Sequence, residues 1–441
     1  MSVRILATAD LHIGRTSTQT TSRDEWGSTK QAWLDLVDMA IEQEIDLILI
    51  AGDLVEHDNR YYEASAALKK GFERLNEAGI QVVLTAGNHD FDVLPQLIDQ
   101  TGGTNIHLLG REGIWSEKTI TIRDMEIQFT GWSFPSRIYT EDPLKSFPQH
   151  RIQRDIPVFG LLHGDCSAFA PESRYAPFSL PDLEHLPVDY WLLGHIHKPM
   201  ILREASPRIV YPGSLQALNP KETREHGYEM LEIDNNGIHP KKTAPFSSIR
   251  YENIEIDITD LDATSHIREK ITNAMDALFA EQVEIYDRLK EVVIDVQLTG
   301  YHADLEELDQ FLKRESFTGI EREVMGYIVT LRRVYNMCEL RVDRLQDLAS
   351  EPGPAGLLAA AILDLQSGRD TPFIQNMRRE MDTAADLMRT ANAYRYLFRN
   401  REEEGEAESE QTKKDRITER LIRECHRTLS EMMKTKHQTS S

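Results

Sequence analysis

Five short polar clusters, each placed at the end of an apolar, strand-like run, constrain this chain more than any other feature. They are Asp10-Leu11-His12, Gly52-Asp53, Gly87-Asn88-His89-Asp90, His163-Gly164-Asp165 and Gly194-His195-Ile196-His197. The runs before them are Val3 to Thr8, Leu47 to Ala51, Gln81 to Ala86, Val158 to Leu162 and Tyr190 to Leu193. In open α/β sheets ligands bind beyond the carboxyl ends of the strands, so clusters at such ends can converge on one point. Singly, each has a plain structural reading. Asp10 could cap a helix, Gly52-Asp53 could be a turn, and Gly87 to Asp90 could be a turn with Asn88 at positive φ. His195 and His197 are harder to dismiss, because histidines alternating along a strand point the same way.

Between these runs the apolar spacing changes from strand to helix. Ser28 to Gln43 places Trp33, Leu34, Val37 and Ile41 on one helical face, and Glu63 to Ala78 repeats the pattern. Further strands are expected at Ile120 to Arg123, Glu126 to Thr130, Ile209 to Tyr211 and Tyr228 to Ile233. This predicts a layered α/β domain over residues 1–250. Residues 251–337 read as a smaller β-α-β-α-β unit: strands through Ile254 to Ile258, Val292 to Leu298 and Val324 to Val334 alternate with helices through Ile267 to Leu278 and Leu305 to Leu312. Residues 338–441 read as helical, with an acidic, low-complexity linker at 401–411. After it, Ile417, Leu421, Cys425, Leu429 and Met432 form one stripe. Such a stripe can pack in the chain's own core or dock on an outside partner.

At 441 residues there is room for two or three domains. No apolar run is long enough to cross a bilayer, and the first residues show no signal pattern. The reading is therefore a cytoplasmic protein with no membrane partner. Three widely spaced cysteines with no Cys-x-x-Cys pair suggest neither a structural zinc site nor a disulfide framework. The net charge of -23 counts against a free-standing DNA-binding module, which would carry a basic footprint. It does not exclude a nuclease, since bound cations neutralise part of an acidic site.

The donors in the five clusters are carboxylate, imidazole and amide oxygen. That set suits manganese, iron or zinc, and magnesium remains open. Two such ions roughly 3.5–4 Å apart can clamp the attacking and leaving oxygens of a phosphoester. A pair of ions needs a bridging carboxylate, and Asp53 is the natural choice. Glycines beside Asp53, Asn88 and His195 allow the backbone to turn sharply there.

As an ordered set, the five clusters resemble the calcineurin-like metallophosphoesterase superfamily over roughly residues 1–235. Asp10-Leu11-His12-Ile13-Gly14, the strand end Tyr211-Pro212-Gly213-Ser214 and the Gly227-Tyr228 strand are similar to the SbcD-type DNA-repair nucleases and their YhaO-like relatives. The resemblance implies a four-layer α-β-β-α metallophosphoesterase sandwich with a smaller α+β capping domain that binds DNA and a helical C-terminal region. It assigns one metal to Asp10, His12, Asp53 and His197, and the other to Asp53, Asn88, His163 and His195. It gives His89 contact with the scissile phosphate and protonation of the leaving oxygen, with Asp90 orienting His89. Relatives from archaea and eukaryotes carry a second functional histidine three residues after the bridging aspartate. Here that position is Glu56 and the histidine is His57, which could contact substrate or lie in a surface loop.

The activity so implied is a manganese-dependent DNA nuclease, a 3′–5′ exonuclease and single-strand endonuclease using a metal-activated water. The alternative is a phosphodiesterase or phosphatase acting on a nucleotide or another small phosphoester. An inactive scaffold is disfavoured by the intact ligand set. By the same resemblance the partners are DNA, an SbcC-like coiled-coil ATPase held by the C-terminal helices, and a second copy in a homodimer.

Overall fold

The computed structural model describes residues 2–20, 26–56, 63–101, 103–167, 173–241, 244–259, 261, 263–281 and 283–390, together with 418, 421, 422, 424–426, 428, 429 and 432. The chain divides into two compact units. One comprises residues 1–252, 279–294 and 321–332, and the other residues 253–278, 295–320 and 333–441.

In the first unit, β1 (Val3–Thr8), α1 (Thr29–Glu42), β2 (Leu47–Ala51), α2 (Glu63–Glu77), β3 (Gln81–Thr85), α3 (Leu94–Thr101) and β4 (Ile106–Leu108) alternate. Then follow β5 (Ser116–Ile122), β6 (Met125–Trp132), β7 (Val158–His163), α4 (Leu180–Glu184), β8 (Tyr190–Gly194), β9 (Met200–Arg203), β10 (Arg208–Tyr211), β11 (Gly227–Asp234), β12 (Gly237–Pro240) and β13 (Ala244–Pro245). One sheet has the order β12-β11-β1-β2-β3-β4, with β13 on β11; the other has the order β5-β6-β7-β8-β10-β9. β1 to β4 are mutually parallel, as are β6, β7, β8 and β10.

Alternation along these strands sorts the side chains into layers. Val3, Ile5, Leu47, Leu49 and Val83 of one sheet meet Phe129, Phe159, Leu161 and Leu192 of the other in a core between the sheets. The opposite side chains of the first sheet, Leu6, Ile48, Ile50 and Leu84, are covered by Trp33, Leu36, Phe72 and Leu75 of α1 and α2. The outer face of the second sheet, with Leu162, Trp191 and Leu193, is covered by Leu183 of α4 and by loop residues such as Phe134 and Phe178. The four layers are present, but the fourth is mostly loop, because α4 is only five residues long.

Strands β14 (Ile249–Asp257), β15 (Glu291–Thr299), β17 (Ile320–Val324) and β18 (Tyr327–Asn336) form a four-stranded sheet in the order β14-β15-β18-β17. Between them run α5 (His266–Glu281), α6 (Leu305–Glu315) and β16 (Tyr301–His302), which pairs with β19 (Glu339–Leu340). The single strand expected through Val324 to Val334 is instead a hairpin. Met325 (φ 53°) and Gly326 (φ 85°) both take left-handed backbone at its tip, the requirement of a tight turn matched to strand twist.

The second unit ends in α7 (Val342–Ala349), α8 (Pro354–Gln366) and α9 (Pro372–Thr390). Leu421, Cys425 and Leu429 are buried against Leu345, Leu348, Ile362, Leu365 and Ile374 of these helices. The terminal stripe is thus covered by the chain itself at these positions, while Met432 stays exposed. Ile417 and the 401–411 linker lie outside the described residues. No described helix is long and apolar enough to cross a membrane.

Candidate metal centre

The parallel strands of both sheets end at one edge, and the loops that leave them are laced together. Asp10, His12 and Ile13 donate their backbone N–H groups to the carbonyls of Gly52, Asp53 and Leu54 at 3.2, 2.9 and 2.9 Å. The sheets approach so closely here that a Cβ on Gly194 would collide with the Ala51 carbonyl oxygen. Asp10 (φ 51°), His12 (φ 45°), Asp53 (φ 49°) and His195 (φ 98°) all take the left-handed backbone that side chains usually avoid. Strain of this kind costs on the order of 1–3 kcal/mol per residue and collects where a site needs it.

Three sets of donors result among the described residues. Asp10, His12 and His197 converge in the first, Asp53, His163 and His195 in the second, and His12, Glu56 and His89 in a third that shares His12 with the first. The Nε2 atoms of His12 and His197 face each other at 3.0 Å. Their Nδ1 atoms meet Glu56 Oε2 at 3.1 Å and Glu222 Oε1 at 3.0 Å. An ionised carboxylate can only accept, so each Nδ1 carries a proton and both Nε2 atoms are aimed at one another. In the second set, His163 Nδ1 donates to the Ala51 carbonyl at 2.9 Å. Its Nε2 faces Asn88 Oδ1 at 3.2 Å and Asp53 Oδ2 at 3.3 Å. His195 turns Nε2 toward Asp165, 3.4 Å away, and Nδ1 toward Asn88 Oδ1 at 3.2 Å. Asp53 Oδ2 also lies 3.8 Å from His12 Nε2, between the first two sets. Acceptors facing acceptors in a buried space call for cations, and oxygen with imidazole is the donor set of a divalent transition metal.

Burial and the neighbouring carboxylates set the electrostatics of these groups. Burial works against a charged His163, yet the Asp53 and Asp10 carboxylates raise its pKa to about 9. Burial opposes ionisation of Asp53 too, but His163 and His12 hold its carboxyl well below the ordinary range. For His12 burial prevails and lowers the pKa, which favours the neutral imidazole a metal requires. His89 lies in the third set: its N–H donates to Asp53 Oδ1 at 2.9 Å and its Nδ1 meets Glu56 Oε1 at 2.9 Å. Although burial pulls the other way, Glu56 and Asp53 raise its pKa.

Asp90 meets the His89 loop through backbone groups rather than through the His89 ring. Its buried carboxylate accepts from the backbone N–H groups of Leu54 (2.7 Å), Val55 (3.1 Å) and Gly87 (2.8 Å), pinning two loops together. His195 and His197 lie beyond β8, and the left-handed backbone at His195 sends the two rings to different sets, which strand alternation did not anticipate. His57 lies outside the described residues.

Residues 3–199 match the model of the calcineurin-like phosphoesterase family. Over those residues the chain is similar to that family. Among relatives of this phosphoesterase domain is the uncharacterized metallophosphoesterase YhaO of Bacillus subtilis, 33% identical over 235 residues, 51% of this chain and 54% of that one. The DNA double-strand break repair protein Mre11 of Methanopyrus kandleri is 24% identical over 275 residues, 58% of this chain and 57% of its own. A subunit of the nuclease SbcCD from Staphylococcus epidermidis is 23% identical over 293 residues, 61% of this chain and 75% of its own. The matches to the first two relatives thus span little more than half of those proteins.

Three carboxylates around the phosphoesterase centre had no distinguishing signal in the sequence. Glu56 stood out only as a departure from a histidine, Asp165 only as the end of a motif, and Glu222 not at all. Glu222 is reached through the Tyr211-Pro212-Gly213-Ser214 turn: Ser214 Oγ donates to its Oε2 at 3.1 Å, and the Leu218 N–H does so at 2.8 Å.

Proposed function

We propose that this chain is a divalent-metal-dependent phosphodiesterase acting on DNA as a nuclease. The observation that carries the metal reading is the pair of acceptor-lined sets on either side of Asp53. Asp10, His12, Asp53 and His197 would hold one ion, and Asp53, Asn88, His163 and His195 the other. When bound, such a pair supplies charge neutralisation for a phosphodiester and acidifies water, and manganese is the ion we favour. The protein's own groups do the rest. Glu56 and Glu222 fix the tautomers of His12 and His197, so that both Nε2 atoms stay available. His89, anchored through its backbone to Asp53 and through Nδ1 to Glu56, has its pKa raised by those carboxylates and would deliver a proton to the leaving oxygen. Asp90 keeps the loops of Asp53 and His89 in register.

Support for DNA comes from the relatives named for double-strand break repair and for the SbcCD nuclease, and from the 200 further residues, which a small-phosphoester hydrolase does not require. On the same grounds we assign an SbcC-like ATPase as partner and a homodimeric state, and read the 3′–5′ polarity as that of this nuclease class. Because Leu421, Cys425 and Leu429 are buried, we assign the ATPase contact to another face of the helical region. The charge of -23 favours the second reading, a hydrolase of nucleotides or other small phosphoesters. Comparing rates on a single-stranded oligonucleotide and on bis(p-nitrophenyl) phosphate separates the two. Cleavage of the aryl diester with none of the oligonucleotide would leave the small-substrate reading.

A further inference from the structure

Among the described residues, Arg15 stands beside this acidic centre in a built position. Arg15 follows Gly14, whose φ of 111° turns the chain back after His12. Its backbone is pinned on both sides by buried Thr29: the Arg15 N–H donates to Thr29 Oγ1 at 3.1 Å and to the His12 carbonyl at 3.0 Å. The Arg15 carbonyl accepts from Thr29 N at 3.1 Å and Thr29 Oγ1 at 2.9 Å. The side chain leans on Glu56, with Nε 3.6 Å from Oε2, and remains 33% exposed. Glu56 is the same carboxylate that holds His12 and His89. Among the described residues Glu56 is the only ionic partner of Arg15, and the terminal guanidinium nitrogens have no hydrogen bond to these residues.

We propose that Arg15 grips the phosphate next to the scissile one on a polynucleotide strand, and so makes a chain of phosphates a better substrate than an isolated phosphodiester. This rests on the nuclease reading above. The single carboxylate of Glu56 separates Arg15 from His89, the group assigned to the scissile phosphate. A guanidinium held on one edge presents its remaining N–H fork to a phosphate in bidentate fashion. Arg15 also offers fixed positive charge beside the centre of a chain whose net charge repels nucleic acid.

The test compares wild type, Arg15→Gln and Arg15→Lys, loaded with manganese, on a single-stranded oligonucleotide and on bis(p-nitrophenyl) phosphate across a salt series. Arg15→Gln is expected to raise KM for the oligonucleotide about tenfold with a smaller change in kcat. It should also flatten the log–log salt dependence by about 0.7, the loss of one single-strand phosphate contact. Arg15→Lys should keep most of that slope, and the aryl diester, with no neighbouring phosphate, should lose much less. An unchanged salt slope, with kcat lowered equally on both substrates, would show that Arg15 merely braces Glu56 and would overturn the proposal. Wild type that cleaves the aryl diester but no oligonucleotide would remove the nuclease reading itself, and this proposal with it.

Discussion

Glu56 reaches a metal-facing imidazole with one oxygen and His89 with the other, so losing its charge should disturb both while leaving most ligands in place. Glu56→Gln is expected to lower kcat on bis(p-nitrophenyl) phosphate by about ten- to a hundredfold. His89→Ala should cost about 10²–10⁴-fold, the usual worth of general acid catalysis, with metal content by elemental analysis unchanged. Asp53→Ala should instead strip metal from the protein, because its carboxylate lies between the first two donor sets. A His89→Ala variant that turned over at the wild-type rate would end the role given to that ring. The proposed ligands were legible as candidates in the sequence because imidazole and carboxylate stand in short motifs directly after strands. Glu222 was not: it touches His197 only because a turn 25 residues later in the chain returns to the centre, and single acidic residues carry no spacing that reveals such a return.

Among the elements, the strands that feed the site were readable from their β-branched runs, since a strand buried on both faces is apolar throughout. What the runs could not say was how strands distribute between two sheets, or that the outer layer over β7 and β8 would be mostly loop. The close contact of β2 and β8 rests on Gly194. Gly194→Ala should push the sheets apart at the Ala51 carbonyl, lower the melting temperature and reduce metal binding together. A second element-scale consequence concerns His226, which precedes β11. Burial pushes its pKa down to about 4, and its Nε2 has no hydrogen-bond partner among the described residues. The unfolded chain binds this proton from about pH 6.5 downward, whereas the folded chain resists until about pH 4. Stability from this group is therefore full above about pH 6.5 and falls as the pH drops toward 4. His226→Gln should lose less melting temperature than wild type between pH 7 and pH 5, and parallel losses would contradict that account.

At the scale of the molecule, the helical region is held by its own chain end. Leu429 is 1% exposed in a cluster with residues of α7, α8 and α9, so Leu429→Ala should destabilise that region by about 2–5 kcal/mol. Deleting residues 400–441 should lower the melting temperature more, by removing Leu421 and Cys425 as well. Cleavage of a small phosphodiester should persist in both variants, because every proposed ligand lies in the first 200 residues. The helical periodicity of the stripe was plain in the sequence, but periodicity shows which face is apolar and not what covers it. The proposed chemistry needs two ions at the centre, and titrating exhaustively chelated protein with manganese while following bis(p-nitrophenyl) phosphate hydrolysis tests this most directly. We expect no turnover in the chelated protein and activity that returns as a second equivalent of metal binds; hydrolysis that survives chelation, or saturates at one equivalent, would contradict it.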